Sequence, residues 1–160
     1  MKTLLLEKVV RVVRENPQEL IGKEQMINKA IVRVVTMSHI GRKEGLLALE
    51  EACNVLDDNL FIDSILKQII NYIVDGTDPE IVERIMTTKF MFNKYDVVES
   101  LVYYIIVTGC LAIQSGENPR CIQEELKACI PIPFIVDNFD EKIERLVEEE
   151  IVQVTSKTYK

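Results

Sequence analysis

The sequence predicts an all-α fold, a compact bundle of about six to seven helices. Three observations predict it. Apolar residues recur at helical steps of three and four along most of the chain, and no stretch alternates apolar with polar residues as a half-buried strand would. The composition is 48% hydrophobic and 28% charged with only 6 Gly and 5 Pro, which suits a packed helical chain and not a disordered or collagen-like one. A length of 160 residues fits one helical domain over 1–160, able to bury roughly two thirds of its unfolded surface without a disulfide or metal staple.

The first helix runs from 2 to 14, with Leu5, Val9, Val12 and Val13 on its apolar side, and Asn16-Pro17 stops it because proline disfavours the helical conformation of the residue before it. From Lys23 to Leu56 the apolar positions are Ile27, Ala30, Ile31, Val34 and Val35, then Leu46, Leu49, Cys53 and Leu56. This is one long helix, or two broken near Gly41. Asp57-Asp58-Asn59 offers capping acceptors for a helix over Leu60 to Val74. Asp75-Gly76 ends it, and Thr77-Asp78-Pro79-Glu80 supplies an N-cap, a first-turn proline and an acidic residue for a helix over Pro79 to about Thr88. A long apolar helix follows from Asp96 to Gln114, then a turn at 116–119 and a short helix from Arg120 to Cys129. Pro131 and Pro133 break the chain before a last helix from Asn138 to Val152, whose Phe139, Ile143, Leu146, Val147 and Ile151 share a side while Glu148, Glu149 and Glu150 read as a solvated charge run.

The formal net charge of −7 repels phosphate backbones, so nucleic acid is not an expected partner. Four cysteines without a Cys-x-x-Cys pair, and a start in which Met1 to Leu6 leads straight to Glu7, point to a reducing cytoplasm. Ser100 to Gly116 carries no charged residue but is shorter than the roughly 20 apolar residues of a spanning helix, and Glu99 and Glu117 bound it. It reads as a buried core helix.

His39 is the single histidine, which excludes a His-based triad and a multi-histidine metal site and leaves a polar surface role. Cys110, Cys121 and Cys129 with His39 lack the close ligand pairs of a structural zinc site and read as buried free thiols. Asp75, Asp78 and Glu80 are helix-capping residues and do not close a calcium loop. Asp57-Asp58 has no nucleophile or phosphate loop beside it. No enzyme, cofactor or metal is therefore expected.

Gly-Arg-Lys-Glu-Gly-Leu-Leu-Ala-Leu-Glu at 41–50, Asp57-Asp58, and Val74-Asp75-Gly76-Thr77-Asp78-Pro79-Glu80-Ile81-Val82 resemble the cytoplasmic segment of the flagellar motor stator family MotA. The resemblance covers about Gly22 to Phe90, and 91–160 forms a helical extension of no recognised type. In that bacterial family the segment projects into the cytoplasm between membrane helices and presents an arginine and a glutamate to the rotor protein FliG. Here the resemblance places those roles on Arg42 and Glu50, eight residues apart. The family's four membrane helices and the prolines near its ion path have no counterpart here, so ion-driven torque by this chain alone is not implied.

On a continuous helix Arg42 points nearly with Leu46, Leu49 and Cys53, and Glu50 lies roughly 80° round, beside Lys43, Glu51 and Asn54. Arg42 is thus a partner contact, an internal ion pair with Asp57, Asp58 or Asp75, or a merely solvated charge, and Glu50 is a partner contact or a simple solvent-facing residue. The leading expectation is a non-enzymatic, cytoplasmic protein–protein interaction module related to the stator segment, contacting a FliG-like rotor or another motor-like partner. Two others stand beside it: a membrane-associated stator or transport component with 97–113 in the bilayer, and a helical small-molecule-binding domain.

Overall fold

Local side-chain chemistry and backbone geometry decide where each helix starts and stops. The computed structural model describes residues 2–158; Met1, Tyr159 and Lys160, the ends of the expected 1–160 domain, lie outside them. Among the described residues there are eight α-helices, two short 3-10 turns and no strand, so the class is all-α with more helices than the six to seven expected.

Helix α1 (Lys2–Glu15) ends at Asn16, whose Nδ2 donates to the Val12 carbonyl at 3.0 Å, and a 3-10 turn over Pro17–Leu20 follows. The long stretch after it is two helices, α2 (Glu24–Glu44) and α3 (Leu46–Asn54), and the break falls at Gly45, not Gly41. Gly45 has φ +92°, a conformation that other residues adopt only with strain, whereas Gly41 stays inside α2, and a Cβ there would meet Leu49 of α3 at 3.4 Å.

Helix α4 (Phe61–Val74) starts without a side-chain cap. The expected capping at 57–59 is replaced by a local turn in which Asp57 Oδ1 accepts from the Asn59 amide at 2.9 Å. Asp78 caps α5 (Pro79–Phe92) by accepting from the Glu80 amide at 2.9 Å, and α5 continues past Thr88 because Phe90 extends its buried face.

Helix α6 (Val97–Gln114) begins with a capping box: Asp96 Oδ1 accepts from the Glu99 amide at 2.8 Å, and Glu99 Oε1 from the Asp96 amide at 3.0 Å. Asn118 caps α7 (Pro119–Lys127), a 3-10 turn spans Ile132–Phe134, and α8 (Phe139–Thr158) extends beyond the expected Val152.

Every residue of α6 from Ser100 to Ala112 is buried, because α1, α2, α4, α5 and α7 all pack on it. A helix apolar on all sides needs such a complete coat or a bilayer; α6 is long and apolar enough to cross a membrane, and 83% of it is buried inside the fold. At Gly109 two neighbouring helices press close to the α6 backbone. A Cβ there would overlap Cγ1 of Val34 on α2 and press on Leu126 Cδ1 of α7 at 3.3 Å. Helix α8 lies against α2 and α3.

The crossing gives a stability test. Gly109→Ala gains up to about 1 kcal/mol of helix propensity but inserts a methyl into a filled contact, a change that typically costs about 1–3 kcal/mol. The variant is expected to melt lower than the parent, and Val34→Ala in the same chain to recover much of the loss. Urea titrations of the two single variants and the double variant read the coupling.

Candidate functional site

Two places bring polar side chains together across helices. The first is a charge cluster. Arg33 of α2 donates through Nη1 to Asp63 Oδ1 of α4 at 2.7 Å and through Nε to Glu150 Oε1 of α8. The second Asp63 oxygen accepts from the Asp57 amide at 3.1 Å, and the second Glu150 oxygen from the Thr36 hydroxyl at 3.3 Å. All four carboxylate oxygens are therefore bonded. Asp63 is only 2% exposed, a placement tolerable for a carboxylate when it is paired and hydrogen-bonded. Burial pushes the Glu150 carboxyl above its usual range, against the opposing pull of the Arg33 guanidinium and the Thr36 hydroxyl.

Glu150 thus departs from the solvated charge run expected at 148–150. Glu148 and Glu149 are exposed, but Glu150 follows Ile143, Leu146 and Val147 by seven, four and three residues, which sets it on the inner face of α8. The helical phase carried that signal and the charge run hid it. A groove of about 760 Å³ runs over the cluster between Met26, Lys29, Phe61, Leu146 and Glu149. No histidine or cysteine lines it, and the Arg33 fork is already engaged by two carboxylates. Its chemistry is that of a clamp joining α2, α4 and α8.

The second place is the corner where α2 ends. Arg42 is exposed there, and its Nη1 donates to the Gly116 carbonyl at 3.4 Å, at the weak limit of a hydrogen bond. The internal ion pair open to Arg42 is not formed: among the described residues no carboxylate pairs with it, and Asp58 pairs instead with Lys67 at 3.2 Å. The reason is the Gly45 break, which turns α3 away so that Arg42 does not continue the stripe of Leu46, Leu49 and Cys53. Leu46 and Leu47 are 54% and 71% exposed at the start of α3. Glu50 is half-buried one turn further on, and no hydrogen bond or ion pair joins it to Arg42. Behind Arg42, a cavity of about 270 Å³ opens between Ser38, Leu46, Leu49, Ile73, Ile113, Gln114 and Glu117.

The cysteines are only partly as expected. Cys110 is buried, and so is Cys53, whose thiol is pushed up to about 12 by burial, but Cys129 is half-buried and Cys121 exposed because its side of α7 faces solvent. His39 is exposed on α2. No cluster of three or more metal-ligating side chains occurs among the described residues. No family model, curated protein or solved structure matches the chain.

The two arginines should part company in a melting experiment. Arg33→Ala leaves Asp63 and Glu150 uncompensated and is expected to cost on the order of 3 kcal/mol, whereas Arg42→Ala should change stability by no more than about 0.5 kcal/mol, as surface substitutions do.

A second test uses pH. Burial raises the Glu150 pKa in the folded state above its unfolded value, so the folded chain holds that proton more tightly. Its contribution to stability is full below the ordinary value of 4.5 and is lost as pH rises through the folded pKa. Relative to Glu150→Gln, which cannot titrate, the parent should therefore be more favoured at about pH 5 than at about pH 7. Melts of both proteins at the two pH values check the sign.

Proposed function

We propose that this chain is a non-enzymatic, cytoplasmic protein–protein interaction module that docks through the α2–α3 corner onto a motor-like partner of the FliG rotor type. One observation carries the reading. Arg42 stands exposed and without a carboxylate partner among the described residues, beside the exposed Leu46 and Leu47, while Arg33 is engaged by two carboxylates. An arginine with most of its five donors unused, next to apolar surface, has the composition of an interface anchor. Glu50 lies on the following helix, where the resemblance to the stator segment puts the second partner contact.

The coat of five helices around α6 supports a chain that keeps 97–113 out of a bilayer, since insertion would strip that coat away. The Arg33 cluster supports a binding role over catalysis, because carboxylates held by internal bonds at every oxygen are not poised to exchange protons with a substrate.

The test is the affinity of the folded chain for a purified FliG-like rotor protein. Arg42→Ala and Leu47→Ser are each expected to weaken binding by about tenfold, and Glu50→Ala by less, as anchor and rim residues do, with melting temperatures unchanged. Undiminished binding by all three folded variants, or no binding by the parent chain, overturns the reading.

A further inference from the structure

The cavity behind Arg42 has a composition that the docking corner does not require. Its walls are aliphatic, from Leu46, Leu49, Ile73 and Ile113, and its polar groups are few and of both signs. Arg42 supplies a cation with one weak bond, to Gly116. Glu117 supplies an anion, and it forms no ion pair among the described residues. Gln114 is held at the wall by its Nε2, which donates to the Thr77 carbonyl at 2.7 Å.

We infer that this cavity binds a small free α-amino acid with an aliphatic side chain. The carboxylate meets Arg42 at the mouth, the ammonium meets Glu117, and the side chain lies among Leu46, Ile73 and Ile113. Each half of the zwitterion answers a group that lacks a full complement of partners, and the aliphatic tail answers the rest of the wall. Size agrees. A volume of about 270 Å³ holds about nine waters at roughly 30 Å³ each, the room of a ligand with about as many non-hydrogen atoms. It falls just under the roughly 300–1,000 Å³ of pockets that take drug-sized ligands. The larger groove over Arg33 offers no comparable logic, since its charges already answer one another. This inference stands on the cavity alone and does not rest on docking of a protein partner.

Isothermal titration calorimetry of the purified chain, with no other protein present, tests it. The probes are leucine, valine and methionine, together with 4-methylpentanoate, which lacks the ammonium, and 3-methylbutylamine, which lacks the carboxylate. The expected result is saturable one-to-one binding of at least one of the amino acids with Kd below about 1 mM, a reachable affinity for about nine ligand atoms. Each one-headed analogue should bind at least tenfold more weakly than leucine. Arg42→Gln and Glu117→Gln, at an exposed and a half-buried position, should each weaken the amino acid by at least tenfold with unchanged circular dichroism and melting. Absence of saturable binding by every amino acid overturns the inference and leaves the cavity to water. Equal binding of either one-headed analogue, or undiminished binding by either folded variant, also overturns it.

Discussion

Val34 of α2 sits in the notch that Gly109 leaves in α6, and the bundle is assembled around that crossing. A side chain at 109 would hold the two helices apart, and Leu126 of α7 closes the same notch from the other side. Dense packing there lets α6 be covered by five helices instead of being left with an apolar face in water. The thirteen-residue stretch from Ser100 to Ala112 has no exposed position, so its uncharged composition is accounted for by packing.

Beyond its crossing with α6, α2 is tied through Arg33 to α4 and α8, and that tie is ionic. One guanidinium and two carboxylates are largely withdrawn from water, a placement whose desolvation penalty is offset only if the hydrogen bonds are complete. They are, because Asp57 and Thr36 supply the remaining donors. A clamp of this kind adds little net stability compared with a well-packed apolar contact, but it fixes register: a one-residue shift of α8 would turn Glu150 away from Arg33 by about 100°. The α2–α3 corner is built differently. It ends in a glycine at positive φ, carries exposed leucines and leaves its arginine nearly unengaged, so binding there would disturb few existing bonds.

Much of this was legible in the residues. Asn16-Pro17 as a helix stop, and Asp78 with Pro79 as a cap and first turn, mark boundaries by local chemistry, and the structure uses them. The break at Gly45 was not legible, because Gly41 and Gly45 offer the chain the same freedom, and the packing of Leu49 beside Gly41 exists only once α3 has turned back. Glu150 was hidden in a run of like residues although its phase marked it. Arg33 and Asp63 are 30 residues apart, and nothing local tells a buried ion pair from two solvated charges before α2 and α4 are placed side by side. The cavity at Gln114 escaped for the same reason, since its lining comes from α2, α3, α4 and α6 together.

The central claim is that the chain works through the α2–α3 corner and uses its buried charges to hold itself together. Amide chemical-shift mapping during titration with a FliG-like rotor protein tests this most directly, because it locates the contact without altering a residue. The account predicts perturbed amides concentrated at 41–51, with the α6–α7 turn at 115–117 following. Perturbations confined to the groove, at 25–33 and 146–153, with the corner silent, would contradict it.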